Sequence, residues 1–292
     1  MRIVVFGATG VIGSALTALL SDEHDVVAVS RNPHAPAGRV TWVAADATDA
    51  GSVREALAGA QVAYHLVHSL GSPDFEERDL AAAKTVAQEA EAAGLEQLVY
   101  LGGFGEEGDD LSSHLRSRLE TGRALASGSV PVTTLRAAVV IGKGSAAFET
   151  IVALVDRLPV MLAPRWVSTP TQPIALADAV RFLGGVAGRD EALGETYDLG
   201  GPEVMTYRQM IERIARLRGK RRVIVEVPVL TPFLSSLWLH LVTPVGAGVA
   251  RPLVEGLRNP TVAADERIRE LVPFELTPFD EAARQALGIV GW

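Results

Sequence analysis

The sequence contains no cysteine among its 292 residues. This absence excludes disulfide bonds, thiolate nucleophiles and iron–sulfur ligation together. The aspartates and histidines that are present lack the spacing typical of metal ligands. Chemistry based on thiols or on a bound metal ion is therefore not expected.

Positive charge is also scarce. Lysine and arginine number 27 against 35 aspartates and glutamates, which gives a formal net charge of −8. Such a chain repels the phosphate backbone of nucleic acids unless it carries a local basic stripe. A basic cluster at residues 216–222 ends a helical pattern, where the helix dipole favours positive side chains. Nucleic-acid binding is therefore not expected.

Long uninterrupted hydrophobic runs are missing as well. The apolar segment 223–257 is broken by Pro228, Pro232, Pro244 and Pro252, so no run reaches the roughly 20 residues that a spanning helix needs. We interpret it as short helices packed into a lobe, with peripheral membrane contact as the alternative. The sequence starts directly with a strand pattern, without the charged and apolar regions of a signal peptide, which favours a cytoplasmic protein.

The first half of the chain alternates short apolar runs with helical patterns. Strands are predicted at residues 2–6, 25–30, 40–44, 62–67, 97–101 and 132–137, and helices at residues 11–20, 52–58, 75–93 and 113–126. Near-continuous apolar strands are typical of a parallel sheet that is buried on both faces. The sequence therefore predicts an α/β fold with a doubly wound parallel sheet.

The alternation loosens after residue 142. Further helices are predicted at residues 147–158, 176–186 and 207–217, and a strand at residues 196–199. Thr277 is expected to cap a last helix, with Pro278 at its first position. We therefore divide the chain into a nucleotide-binding domain, residues 1–142, and a second part, residues 143–292. The second part is expected to complete the sheet and to form a small, mostly helical lobe for a substrate or partner.

A glycine-rich loop joins the first strand to the first helix. Gly7 permits the tight turn, Gly10 lets the backbone approach a pyrophosphate, and Gly13 lets the helix pack against the strand. The N-terminus of the helix then offers free N–H groups and a partial positive charge to phosphates. The predicted dinucleotide-binding residues of this loop are Gly7, Ala8, Thr9, Gly10, Val11, Ile12 and Gly13.

The end of the second strand indicates which nicotinamide cofactor is bound. NAD-binding sites place a carboxylate there for the ribose 2′-hydroxyl, whereas an arginine nearby accommodates the 2′-phosphate of NADP. This chain has Ser30, Arg31 and Asn32 at that position and no carboxylate. A guanidinium forms charge-assisted, bidentate hydrogen bonds with phosphate. We expect NADP(H), with NAD(H) as the alternative.

The three-and-three spacing of the loop glycines resembles that of the extended and atypical short-chain dehydrogenase/reductases. The likeness continues in the segments YHLVHS (64–69), YLGG (100–103), LSSHLRSRLE (111–120) and LRAAVVIG (135–142), which are similar to the NmrA-like branch of that family. The resemblance implies a Rossmann fold with a small C-terminal substrate lobe. It also implies further cofactor contacts at Asp46, Ala47, Leu66, Val67, His68 and Gly102.

The usual catalytic set of that family is a serine after the fifth strand and a Tyr-x-x-x-Lys pair on the next helix. Here the strand ends in Gly102 and Gly103, and His114 and Arg118 have the spacing of the pair, which puts both on one helix face. In one interpretation His114 is the proton donor and Arg118 replaces the lysine at the ribose. In the other, the catalytic pair is lost and Arg118 only binds the cofactor. His68 is a third candidate, at the sheet edge where ligands gather.

Two functions are open at this point. The first is an NADP(H)-dependent oxidoreductase for a small, lipophilic carbonyl, enone or quinone, with segment 223–257, Trp166 and Trp238 as candidate pocket residues. The second is a noncatalytic NADP(H)-binding sensor or assembly factor, which the missing catalytic set favours. Sugar-nucleotide epimerisation is less favoured, because it depends on the missing tyrosine and lysine. The sequence does not identify the substrate or the oligomeric state.

Overall fold

The computed structural model describes residues 1–69, 71–105, 111–227 and 257–289. Most of segment 223–257, with Trp238, lies outside these residues, and so do the short helices expected there. Within the described residues, none of the helices combines the length and the apolar character that a membrane-spanning helix requires.

The strands are short, and most of those in the first half are buried. In chain order they are β1 (Arg2–Phe6), β2 (Asp25–Ser30), β3 (Val40–Ala44), β4 (Val62–His65), β5 (Gln97–Gly103), β6 (Val132–Ala137), β7 (Val140–Ile141), β8 (Val160–Ala163), β9 (Pro170–Thr171), β10 (Ile174–Ala175), β11 (Thr196–Leu199), β12 (Met205–Thr206) and β13 (Val223–Glu226). Seven of them form a parallel sheet in the order β11-β6-β5-β4-β1-β2-β3. The predicted doubly wound parallel sheet is confirmed.

Helices cover both faces of this sheet. They are α1 (Val11–Leu20), α2 (Ala50–Leu57), α3 (Phe75–Ala93), α4 (Ser113–Leu125), α5 (Ala146–Arg157), α6 (Leu176–Gly185), α7 (Tyr207–Leu217), α8 (Arg267–Leu271) and α9 (Phe279–Leu287). Apolar residues of α1 and α6 fill the core on one face, and those of α2, α3 and α4 fill the core on the other. The buried strands are apolar on both sides because each side packs against helices.

The strand order reverses between β1 and β4. From β1 the chain proceeds through β2 and β3 in one direction, and from β4 through β5 and β6 in the other. The connections that follow β1 and β4 therefore leave the sheet toward opposite faces and open a crevice at the carboxyl ends of these two strands. In open parallel sheets, ligands bind at this position.

A third apolar core lies in the second part of the chain, where α5, α7 and α9 pack together. Strand β11 from the same part pairs with β6 at the edge of the main sheet. Trp166 belongs to this third core and packs edge-on against Tyr207, with ring centroids 6.1 Å apart. The division of the chain at residue 142 stays a prediction.

Some element boundaries differ from the sequence-based prediction for local reasons. Helix α2 begins two residues early because the Asp49 carboxylate accepts a hydrogen bond from the Ser52 backbone N–H at 2.9 Å and caps the helix. The expected cap of the last helix at Thr277 is wrong. Both the N–H and the hydroxyl of Thr277 are bonded to the buried Asp178 carboxylate, at 2.7 and 3.0 Å, and the helix begins at Phe279.

Candidate functional site

A cleft of about 960 Å³ follows the carboxyl ends of β1, β2 and β4. It contains most of the residues predicted to bind a cofactor, namely Gly7, Thr9, Gly10, Val11, Ile12, Gly13, Arg31, Asn32, Asp46, Ala47, Leu66, Val67, His68 and Arg118. Three other described residues of the predicted set, Ala8, Gly102 and His114, are not part of the cleft lining. Trp166, the described candidate for the substrate pocket, is not part of it either.

The glycine loop has the geometry that a phosphate site requires. Gly7 has φ +84°, and a Cβ there would lie 2.7 Å from the Leu66 carbonyl oxygen. A Cβ at Gly13 would lie 2.1 Å from the Gly7 carbonyl oxygen, so only glycine allows α1 to come so close to β1. Gly10 is the exposed N-cap residue of α1 and, being glycine, has no side chain that could cap the helix. The free N–H groups at the N-terminus of α1 therefore face the cleft without a capping side chain.

Ala8, in the same loop, is completely buried. Its side chain packs into the core beside α1 and α6 and not into the cleft. Its backbone is still part of the turn between β1 and α1, which is where the sequence predicted the phosphate contacts.

Positive charge collects at the β2 end of the cleft. Ser30 and Asn32 form a tight turn, in which the Ser30 hydroxyl is 3.2 Å from both the N–H and the carbonyl of Asn32. Arg31, the middle residue of this turn, is exposed, and Arg78 of α3 lines the same cleft. In the described part of the chain neither guanidinium has an ion pair or a hydrogen bond. Sequence reasoning missed Arg78, because an arginine near the start of a helix has the pattern of an ordinary exposed side chain.

Asp46 lies close to these two arginines. Its carboxylate accepts hydrogen bonds from the backbone N–H and the hydroxyl of Thr48, at 3.0 and 2.8 Å. These bonds lower the pKa of Asp46 below its usual value, and the charges of Arg78 and Arg31 lower it further. Asp46 is thus a fixed acceptor at the edge of the cleft.

Arg118 lies at the opposite end of the cleft. Its guanidinium donates a hydrogen bond to the Leu101 carbonyl and stacks over the Tyr100 ring, 4.9 Å from the centroid. Because the side chain is anchored on β5, its charge is held at the cleft wall.

Gly102 is buried one residue beyond Leu101, and the Tyr100 ring explains why it has no side chain. A Cβ at Gly102 would approach that ring to 3.2 Å, and so would a Cβ at Gly122 of α4. The aromatic ring would therefore have to shift by a few tenths of an ångström to admit the catalytic serine that the resemblance to the dehydrogenase/reductases predicts.

His114 is packed behind the cleft wall. Its ring centroid is 5.1 Å from that of His68, and its buried Nδ1 has no hydrogen-bond partner in the described part of the chain. Burial lowers the pKa of His114 to about 3, with smaller contributions from His68 and Arg118. The imidazole is therefore neutral at physiological pH, contrary to the near-neutral pKa that suits a general acid.

His65 has a similar environment but lies deeper. It is fully buried on β4, and neither ring nitrogen has a hydrogen-bond partner among the described residues. Burial lowers the pKa of His65 to about 4. This residue is part of the core, as strand alternation predicts.

His68 is paired with a carboxylate that sequence reasoning missed. Its Nδ1 lies 3.0 Å from Oδ2 of Asp79, whose Oδ1 accepts the Ser69 backbone N–H at 2.9 Å. Asp79 is 1% exposed, whereas the His68 side chain is 30% exposed. A signal exists in the sequence, since Asp79 lies on the otherwise apolar face of α3 between Phe75 and Ala82.

The comparisons with known proteins agree with this geometry. Residues 7–133 match the family model described as NAD(P)H-binding. The chain is 30% identical over 243 residues to an uncharacterized protein of Mycobacterium tuberculosis, a match that covers 82% of this chain. The match covers 26% of that relative, so the chain spans about a quarter of the length of the curated relatives it matches.

Solved structures share the fold of this chain. An NADPH-dependent quinone oxidoreductase from Escherichia coli, complexed with NADPH, is 20% identical with a TM-score of 0.78, over 98% of this chain and 100% of that one. A nucleoside-diphosphate-sugar epimerase from Staphylococcus aureus is 17% identical with a TM-score of 0.76, over 97% and 100% of the two chains. The Rossmann fold that the resemblance to atypical short-chain dehydrogenase/reductases implies is thereby confirmed, and residues 7–133 are similar to an NAD(P)H-binding domain.

The residues of the cleft fit a dinucleotide. A Cβ at Gly10 would have only the Gly7 carbonyl oxygen within 4 Å, at 3.3 Å, so the space beside this glycine is open to a phosphate. Within the described residues, no group of three or more His, Cys, Asp or Glu side chains has the arrangement of a metal site.

We expect Gly10→Val to abolish NAD(P)H binding while the protein stays folded, because the side chain would fill the phosphate space. Gly51→Val is the matched control, since Gly51 is an exposed glycine in the first turn of α2, outside the cleft. Gly13→Ala should instead destabilise the fold by about 1–3 kcal/mol or more, because its Cβ would meet backbone. Calorimetric titration and thermal unfolding distinguish the two effects. Normal cofactor affinity in Gly10→Val would contradict the assignment of the loop.

Proposed function

We propose that this chain is an NADP(H)-dependent reductase for a small, lipophilic carbonyl, enone or quinone. The observation that carries the cofactor choice is Arg31, which follows β2 beside the phosphate loop and has no hydrogen bond or ion pair among the described residues. The strand end also has no carboxylate. A guanidinium that has no hydrogen bond or ion pair in the described part of the chain is available to a 2′-phosphate, and Arg78 supplies a second positive charge at the same end. When bound, NADPH supplies a hydride.

Different residues of the chain would bind different parts of the cofactor. The loop from Gly7 to Gly13 would hold the pyrophosphate, Arg31 and Asn32 the 2′-phosphate, and Asp46 the adenosine half. Arg118 is fixed at the other end of the cleft by Leu101 and Tyr100, where its charge would orient the ribose and the nicotinamide half. The E. coli quinone oxidoreductase supports a redox activity only through its fold, since the two chains are 20% identical.

A noncatalytic NADP(H) sensor is the second candidate. It is favoured by the neutral, buried state of His114, which removes the expected imidazolium donor from the position of the family's tyrosine. Both candidates bind NADP(H), and they differ in whether the cofactor is consumed.

A screen of NADPH oxidation against quinones, enals and aldehydes tests the proposed activity. The reductase predicts turnover with at least one class, which is lost in Gly10→Val. A sensor binds NADPH but consumes none with any class. An epimerase would convert a sugar nucleotide with no net oxidation of the cofactor, which product analysis detects.

The protein should bind NADPH at least tenfold more tightly than NADH. Tenfold corresponds to about 1.4 kcal/mol, a modest requirement for a charge-assisted contact with the 2′-phosphate. In Arg31→Ala this preference should collapse, whereas Arg39→Ala, an exposed arginine outside the cleft, should keep it. Calorimetry with both cofactors measures the ratio. An unchanged ratio in Arg31→Ala would remove this residue from the proposal.

Substitutions of His114 and of Arg118 on α4 should have different effects. Because His114 is neutral and outside the cleft lining, His114→Gln should cost far less than the ~10²–10⁴-fold in turnover that the loss of a general acid causes. Arg118→Ala should weaken NADPH binding, because its guanidinium lines the cleft. Arg116→Ala, on the exposed side of α4, is the control for Arg118. A turnover loss in His114→Gln as large as that of a general acid would restore this residue as the donor.

A further inference from the structure

We propose that His68, held by Asp79, is the proton-transfer residue of the cleft. It would give a proton to the carbonyl oxygen of the substrate during reduction and remove it in the reverse reaction. This assignment rests on the proposed reductase function, and it names the acid that the missing tyrosine leaves unassigned.

The first argument is the orientation of the imidazole. Asp79 uses Oδ1 for the Ser69 N–H and Oδ2 for His68 Nδ1. An ionised carboxylate only accepts hydrogen bonds, so Nδ1 must carry a hydrogen. The tautomer is thereby fixed, and Nε2 is the nitrogen that can exchange a proton. Among the described residues, Nε2 has no hydrogen-bond partner.

The second argument is access. His68 lines the cleft at the carboxyl end of β4, next to the crevice where the strand order reverses. Its side chain is 30% exposed, whereas Asp79 is 1% exposed behind it. One end of the pair is therefore open to substrate and water, and the other is protected. This is the arrangement in which a buried carboxylate orients a histidine and stabilises its cation.

The third argument concerns the free-energy cost of burying the Asp79 carboxylate. A buried carboxylate without partners is strongly unfavourable, and the Ser69 N–H satisfies only one oxygen of Asp79. Burial raises the pKa of Asp79, but the hydrogen bonds from His68 and Ser69 outweigh this and hold its pKa below the usual value. Asp79 is thus ionised at neutral pH and can stabilise a proton on His68.

The charged and titratable groups that face His68 come from two helices. Asp79 of α3 stabilises its cation, while Arg118 of α4 opposes it, and His114 of α4 is neutral. Burial is the largest effect and lowers the pKa of His68 below 6.5, against the Asp79 hydrogen bond, which raises it. The protonated fraction therefore falls over a lower pH range than that of a free imidazole. Reduction that needs this proton should slow over the same range.

The proton balance of the step is simple. The carbonyl carbon accepts the hydride that the bound cofactor supplies, and the π electrons of the C=O bond move to the oxygen. That oxygen takes the proton from Nε2 of His68, which breaks the Nε2–H bond and leaves a neutral imidazole hydrogen-bonded to Asp79. A hydronium ion or a buffer acid in the solvent then restores the proton on Nε2 through the exposed edge of the ring, so the net reaction consumes one proton from solution.

Nitrogen NMR of the histidine rings in the cofactor-free protein tests the pair without any turnover. His68 should be the Nδ1–H tautomer when neutral. Its pKa should fall further in Asp79→Asn, because the carboxylate that favours the cation is lost. His34→Gln, at an exposed histidine outside the cleft, identifies a ring signal unrelated to the site and should leave that pKa unchanged. An Nε2–H tautomer, or a His68 pKa that is the same in Asp79→Asn, would overturn the assignment.

Turnover tests the catalytic role itself. His68→Gln should lower kcat by the ~10²–10⁴-fold typical of a lost general acid, with NADPH affinity changed only a few-fold. Asp79→Asn should move the pH at which kcat declines to a lower value, a change that a purely structural role would not produce. Wild-type kcat in His68→Gln, or a loss confined to NADPH affinity, would reduce His68 to a cofactor contact. Absence of turnover in the wild-type protein would instead contradict the proposed reductase. The NMR result would then show by itself whether Asp79 fixes the tautomer and the pKa of His68.

Discussion

The contact between Gly13 and Gly7 is the constraint on which the site depends. A Cβ on Gly13 would lie 2.1 Å from the Gly7 carbonyl oxygen, so α1 reaches its position over β1 only without a side chain there. This approach directs the N-terminus of α1 at the crevice between the two halves of the sheet. The phosphate site is therefore a consequence of backbone packing, and the side chains around it only select which dinucleotide enters.

Much of the fold was predictable because the strands are buried on both faces and form continuous apolar runs. The glycine loop was predictable for a similar reason, since its steric role is local. The His68–Asp79 pair was not, because it depends on how α3 is rotated against the loop after β4. The burial of His114 likewise arises from tertiary packing. Helical spacing puts His114 and Arg118 on one face but does not tell which of them reaches the cleft.

Electrostatics divides the cleft into two unlike ends. At the β2 end, Arg31 and Arg78 are unpaired within the described chain and free to meet a dianionic phosphate. At the other end, Arg118 is tied to Leu101, and the charge of Asp79 is balanced by hydrogen bonds. Guanidinium groups without described partners suit the binding of a phosphate, whereas groups held by hydrogen bonds suit chemistry, because their positions cost no reorganisation during the reaction.

The Tyr100 ring links the lost catalytic serine to the proposed change of acid. A Cβ at Gly102 or at Gly122 would lie in close contact with this ring. Its hydroxyl donates a hydrogen bond to the Arg118 carbonyl at 2.8 Å, so the ring joins β5 to α4. A serine at Gly102 would require this anchored ring to shift by a few tenths of an ångström, and overpacking of that kind is unfavourable. Of the two neighbouring histidines, His68 after β4 lines the cleft, whereas His114 of α4 does not. This is the physical reason to look for the proton donor after β4 and not on α4.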